Sequence, residues 1–298
     1  MQTIYIFTQE NPLQEMMFKN IYIYGLGMMG GSIAKAIRIN NPKIRIFAND
    51  INLKSLKYAK RVNIIDDFDS GGYSYLSKSN FIIICVPMLS YKSVIDTIKL
   101  HRKSDSLITD IGSTKKEIST IVKKNKSINK NFVGSHPLTG KEKASIKYSS
   151  ADIFNNSYVL ISRTSQSSKK SEREIAKFWR TLNCKTISIT PEAHDKILSM
   201  TSHLPHILSF ILIDIISKNK MIDNLDSYTG GGFRDLARLA KSDITMWTDI
   251  FLTNKSNIIS TISKFSDSLT SFKKLISKGD SKKIKHYLSN RRKKSDDN

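Results

Sequence analysis

The chain is poor in cysteine, in acid and in long apolar runs, and each shortage closes off a class of protein. Only two cysteines, Cys85 and Cys184, occur in 298 residues, and they form no metal-ligand pattern. No metal site is expected, and Cys85, inside the apolar run FIIICVPM, reads as a small core residue. That run is strand-sized. No apolar stretch approaches the ~20 residues that a membrane-spanning helix requires. The first twenty residues lack a basic segment followed by an apolar one, so no secretory signal is read there. A soluble, cytoplasmic protein with no membrane partner is the expectation. Acidic residues are scarce too: Asp+Glu 26 against Lys+Arg 48 leaves a net charge of +22. Such a charge suits nucleic-acid binding. Yet the bases are scattered, mostly lysine amid Ile, Asn and Ser. No helix-turn-helix, zinc-finger spacing or RNA-binding aromatic signature accompanies them. The denser tail, KKLISKGDSKKIKHYLSNRRKKSDDN, reads as a solvated face or frayed terminus.

What is present is a repeating alternation. A chain with 39% hydrophobic and 25% charged residues is globular, and its length fits one large domain or two ordinary ones. Residues 1–19 form an extension before the first clear element. From residue 20, NIYIY, KIRIFAND, FIIICVP, SLITDIGS, NFVGSHP, SYVLISRT and CKTISIT read as strands with amphipathic helical segments between most of them. That order predicts an α/β, Rossmann-like doubly wound sheet, mainly parallel, over residues 20–190. At ITPEAHDKILSM the alternation stops. Thr190, Pro191 and Glu192 supply a hydroxyl cap, a proline at the first helical position and an acid in the first turn. Residues 191–298 then read as an all-α domain. HILSFILIDII is apolar nearly all round, so it is buried inside a bundle or against another subunit.

The chemistry-bearing residues gather at strand ends. Gly25, Leu26, Gly27, Met28, Met29 and Gly30 spell GLGMMG between a strand and a helix. There the glycines permit the turn, the close approach of a pyrophosphate and tight helix packing. Asp50 ends the second strand, where a carboxylate holds ribose hydroxyls and repels a 2′-phosphate, so NAD is favoured over NADP. Val86 and Pro87 close the third strand on the same edge. Ser113 in TDIGSTK and His136 in FVGSHPLTG end two more, and glycine and proline around His136 display it at a turn. A serine and a histidine beside a hydride acceptor suit alcohol oxidation, with the imidazole taking the hydroxyl proton. In the helical half, Ser202, His203 and His206 surround Pro205 in SHLPH, with no third ligand to complete a metal site. A backbone-capping role near Pro205 is the bland reading of His203. Arg234, after the three glycines of TGGGFRD, suits a bidentate grip on a carboxylate.

The ordered set GLGMMGGSIA, NDIN, CVP, DIGSTK, GSHPLTG, SHLPH and GGGFRDLARLAKSDITMW resembles the prephenate dehydrogenase family, which includes prephenate, arogenate and dual-specificity cyclohexadienyl enzymes. The resemblance spans residues 20 to about 285. It implies an NAD-binding Rossmann-like domain followed by a helical domain that forms a homodimer and binds substrate. It implies oxidative decarboxylation of prephenate to 4-hydroxyphenylpyruvate with reduction of NAD, in tyrosine biosynthesis. His136 would act on the ring C4 hydroxyl with help from Ser113, Arg234 would bind a substrate carboxylate, and Ser202, His203 and His206 would line the site. Leu138, Thr139 and Lys141 depart from the family pattern in the loop after His136. A β-hydroxyacid dehydrogenase is the nearest rival, but its glycine-lysine-asparagine pattern is missing. A basic nucleic-acid-binding protein on the same scaffold is the remote alternative. With no room for a chorismate mutase domain before residue 20, a monofunctional enzyme is expected.

Overall fold

A computed structural model of the chain describes residues 5–6, 18–141, 143–219 and 225–296. Of the first seventeen residues only Tyr5 and Ile6 are described; they form a short strand, so the remainder of the expected extension lies outside the described residues. The strands are β1 (Tyr5–Ile6), β2 (Asn20–Tyr24), β3 (Arg45–Asn49), β4 (Asp67–Phe68), β5 (Phe81–Ile84), β6 (Leu107–Asp110), β7 (Val133–Pro137), β8 (Tyr158–Arg163) and β9 (Lys185–Ser188). The helices of the sheet region are α1 (Met28–Asn40), α2 (Leu53–Arg61), α3 (Tyr91–His101), α4 (Lys116–Lys123), α5 (Lys126–Asn129) and α6 (Lys169–Thr181).

Two sheets carry these strands. The first is parallel throughout, in the order β4-β3-β2-β5-β6. Its strands are apolar on both faces, as helices covering both sides require: Ile21, Ile23, Phe81, Ile82, Ile83 and Ile84 are all inaccessible to solvent. The second runs β1-β9-β8-β7, with β8 and β9 parallel and the two outer pairs antiparallel. A parallel bridge between Ile108 and Phe132 joins the two sheets. Buried polar groups reinforce that seam. The Ser135 hydroxyl lies 2.7 Å from that of Thr109 and accepts the Trp179 indole N–H at 2.9 Å. All seven strands read from the sequence are present, and β7 runs alongside β6 in the same direction, which brings His136 to the edge where β2, β3, β5 and β6 end. β2 and β5 flank the point where strand order reverses, the usual crevice of such sheets.

Beyond β9 the chain is helical: α7 (Pro191–Leu198), α8 (Leu204–Ser217), α9 (Gly231–Leu239), α10 (Ile244–Thr253), α11 (Lys255–Ser277) and α12 (Ser281–Asp296). The Thr190 hydroxyl caps α7 by accepting the Ala193 N–H at 3.2 Å, as the sequence predicts. Two compact units result, residues 1–255 and 256–298. The first extends past Thr190 because α10 is stitched to the sheet region. The Leu89 N–H donates to Asp249 at 3.1 Å, Thr253 meets Thr114 at 2.8 Å, and the Asn254 amide donates to the Asp195 carbonyl at 2.8 Å. The second unit is a helical hairpin in which Phe272 packs on Tyr287 at 5.1 Å.

A turn of π-helix, Ser199–His203, joins α7 to α8. The helical run Pro191–Ser217 is 27 residues long and its most apolar 18 residues have mean hydropathy 1.3, enough by length and composition to cross a membrane, with 17% of that stretch buried. Sequence reading finds no apolar run of that length because Glu192, His194, Asp195 and Lys196 interrupt α7. Of these, His194 and Asp195 are buried and have work inside the molecule, described below. In α8 only Ser209 is buried, while Ile211 and Ile215 stand 50% and 61% exposed. Of the two readings of HILSFILIDII, burial within this chain is therefore set aside.

Candidate active site

The glycine turn is built to be narrow. Gly25 sits at φ +90, and a Cβ there would come within 2.6 Å of the Cys85 carbonyl oxygen; one on Gly30 would overlap the Gly25 carbonyl oxygen at 2.1 Å. Larger residues are therefore excluded from both positions. α1 starts just after Gly27 with no side-chain cap, so its N-terminal dipole faces the crevice. Asp50 reaches back to this turn: one carboxylate oxygen accepts the Leu26 N–H at 2.5 Å and the other the Asn52 N–H at 2.7 Å. The Met28 N–H donates to the Ala144 carbonyl at 2.7 Å, which lays the loop after His136 against the start of α1. Val86 lies next to Gly25, and Pro87 opens the turn that leads to α3.

At the next strand ends a chain of polar groups begins at half-buried His136 and runs into the interior. His136 Nδ1 lies 2.9 Å from His194 Nε2, and His194 Nδ1 lies 2.8 Å from Asp195 Oδ1. The Asp195 carboxylate also accepts the backbone N–H groups of Lys115 at 2.7 Å and Lys116 at 3.0 Å. Those two amides lie where the Ser113 loop enters α4, so α7 is pinned to the end of the Ser113 loop. Beneath the loop, Lys115 is 1% exposed and its ammonium donates to Asp110 at 2.7 Å and to the Gly112 carbonyl at 2.6 Å. Asp110 also accepts from the Tyr91 hydroxyl, the Gly112 N–H and the Ser135 N–H, so one carboxylate braces both the Ser113 loop and β7.

These surroundings decide protonation. Burial pushes His136 well below the usual histidine range, and the charges of His194, Lys115 and His203 add to the shift. Burial and the same Lys115 and His203 charges hold His194 low as well. Both imidazoles are therefore uncharged near neutral pH and able to accept a proton. His194, Asp195, Lys115 and Asp110 were not singled out by sequence reading. One signal was available: Pro191, His194, Asp195 and Leu198 fall on one helical stripe, which places a histidine and a carboxylate on the buried face of α7.

In the helical half, His203 and His206 address one indole. The Trp247 ring is edge-on to His203 at 5.9 Å and stacked on His206 at 3.9 Å. His203 is buried, faces the Asn254 amide at 3.2 Å and is pushed down to about 4, mainly by burial. The backbone-capping role weighed for His203 falls instead to His206, whose Nδ1 bonds the Ser202 carbonyl at 3.0 Å, and burial lowers its pKa also. That carbonyl lies beside Pro205, where the π turn loosens the backbone ladder. The Trp247 indole N–H is buried without a hydrogen-bond partner among the described residues. Arg234 is placed differently. It lies exposed on α9, donating to the Thr229 carbonyl at 3.2 Å, with no bond to the histidine group among the described residues.

A narrow glycine turn at the switch point of a doubly wound sheet, beside a half-buried, uncharged histidine, defines a dinucleotide-dependent oxidoreductase with a helical second half. Family comparison agrees with this assignment. Residues 33–188 match the prephenate dehydrogenase nucleotide-binding domain and residues 190–290 match the prephenate dehydrogenase dimerization domain. The chain belongs to the prephenate dehydrogenase family. It is 31% identical over 279 residues to the prephenate dehydrogenase of Lactococcus lactis subsp. cremoris, covering 91% of this chain and 75% of that one. The Bacillus subtilis prephenate dehydrogenase is 27% identical over 270 residues, covering 90% and 73%. Among solved structures, Aquifex aeolicus prephenate dehydrogenase in complex with hydroxyphenyl propionate and NAD+ superposes with a TM-score of 0.86 and 32% identity, covering 94% of this chain and 98% of that one.

Proposed function

We propose that this protein is an NAD-dependent prephenate dehydrogenase, converting prephenate to 4-hydroxyphenylpyruvate and CO2. The observation that carries the reading is His136: uncharged, at the end of β7, on the crevice edge where the glycine turn opens. The residues present fit a dinucleotide, because Gly25 and Gly30, where a Cβ would overlap backbone carbonyls, let β2 turn tightly into α1, the turn on which a pyrophosphate sits in such sheets. Gly25, Leu26, Gly27, Met28, Met29 and Gly30 would cradle it, Asp50 would meet the adenosine ribose, and Val86 and Pro87 would form one wall. When bound, NAD supplies the carbon that accepts hydride. His136 takes the proton of the C4 hydroxyl, Ser113 orients that hydroxyl, and Arg234 with the surrounding positive charge holds the dianionic substrate. Ser202, His203 and His206 line the substrate side, where the unpartnered Trp247 N–H suits a ligand oxygen.

The exposed apolar face of α8 supports a homodimer through residues 191–298, with residues 20–190 binding the cofactor. A cytoplasmic address, without nucleic-acid or membrane partners, goes with this reading. The test is NADH formation with prephenate or arogenate and with NAD or NADP. Turnover of prephenate with NAD is expected; no NADH from either substrate overturns the proposal, and equal efficiency with NADP overturns the role given to Asp50.

A further inference from the structure

The buried pair His194–Asp195 has no part in the reaction as described above. We propose that His194 is a positioning residue that fixes the tautomer of His136 and shares the proton His136 takes from the substrate hydroxyl. The inference rests on the oxidative reading of the site. The direction of the hydrogen bonds follows from their far end. Asp195 accepts two backbone N–H groups, at 2.7 and 3.0 Å, and stands as an acceptor toward His194 as well. His194 therefore donates from Nδ1, at 2.8 Å, and its Nε2 is bare. A bare Nε2 at 2.9 Å obliges His136 to donate from its own Nδ1. The remaining nitrogen of His136, Nε2, keeps its lone pair. A base whose lone pair is aimed by its neighbours is the form that general base catalysis requires.

The same chain tells where the proton goes. As the C4 hydroxyl O–H bond breaks, its proton bonds to His136 Nε2, and the proton on His136 Nδ1 passes to His194 Nε2. His136 ends neutral with hydrogen on Nε2, and His194 ends as an imidazolium whose Nδ1–H faces Asp195. Two protons hop, and the net result is one proton moved from the hydroxyl to the histidine pair. The O–H electron pair stays with the substrate, the pair of the C–CO2 bond enters the ring as CO2 leaves, and the hydride pair alone leaves the substrate for NAD. The surrounding charges favour that destination. Lys115, itself paired with Asp110, and His203 oppose positive charge on both histidines, but among the described residues His194 alone of the two has a carboxylate against it, that of Asp195.

Two measurements test this. In histidine 15N-labelled protein, nitrogen chemical shifts near neutral pH should show His136 and His194 protonated at Nδ1 and bare at Nε2. His136 protonated at Nε2 in the free enzyme overturns the proposal, and this measurement needs neither a variant nor turnover. His194→Gln keeps an amide oxygen to accept from His136 but cannot take its proton. It should lower kcat by roughly tenfold or more, toward the range of general acid–base effects. KM for the substrate and Kd for NAD should stay within about threefold, since ground-state contacts are kept. A kcat within about twofold of wild type overturns the proton-sharing role. Wild-type protein that forms no NADH refutes the oxidative reading instead, and the tautomer result still stands or falls separately.

Discussion

Lys115→Met removes one ammonium and leaves its partner behind, and the cost follows from where that ammonium sits. Lys115 and Asp110 are 1% and 0% exposed, and their charged atoms lie 2.7 Å apart. After the substitution Asp110 keeps the Tyr91 hydroxyl at 3.2 Å, the Gly112 N–H at 2.9 Å and the Ser135 N–H at 3.3 Å, but no cation. Breaking one side of a buried ion pair costs about 3–5 kcal/mol. That is a large share of the 5–15 kcal/mol by which a typical domain is stable. The double variant Lys115→Met/Asp110→Asn removes the orphaned charge and should recover most of the loss. Urea unfolding followed by the fluorescence of Trp179 and Trp247 measures both. The ammonium also helps keep His136 uncharged, so the acid limb of kcat in Lys115→Met should move to higher pH. A loss below about 1 kcal/mol, the value of an exposed pair, or a double variant no more stable than the single one, would refute the reasoning.

Arg234→Gln should raise KM by about tenfold or more while moving kcat far less, because the carboxylate it grips is charged in ground and transition states alike; a loss confined to kcat contradicts the assignment. His203 is held at about 4 in the fold, below its unfolded value of about 6.5. The unfolded chain then binds the extra proton first. Stability is therefore lost as pH falls from about 6.5 to about 4, by about 3 kcal/mol from this residue. His203→Gln should flatten that part of the urea midpoint against pH, and an unchanged curve would count against it. Ile211→Asp with Ile215→Asp should convert a dimer into monomers in sedimentation velocity; a wild-type protein already monomeric at micromolar concentration contradicts the dimer.

The strands were legible because each is a short β-branched and aromatic run closed by a turn residue, from Asn20–Tyr24 through Lys185–Ser188. Two-residue strands such as Asp67–Phe68 carry no periodicity to read, and strand direction is not written in composition, so the reversal between β7 and β8 was not foreseen. The glycine turn and His136 were legible because special backbone and strand-end chemistry leave local marks. The His194–Asp195 pair was not, because PEAHDKIL reads equally well as a solvated helix until α4 and β8 are packed against it. Lys115 closes the TDIGSTK strand-end motif, yet lysine is so common in this chain that one more suggests solvent. Its partner Asp110 is only five residues away, but its burial comes from packing against β7 at Gly134, which no local window contains.

The central claim is that His136 is the base that takes the C4 hydroxyl proton, and steady-state kinetics of His136→Asn test it most directly. The account predicts a fall in kcat of roughly 10²–10⁴-fold. KM should change little, because the ground-state contact is one hydrogen bond. Turnover within a few-fold of wild type would contradict it.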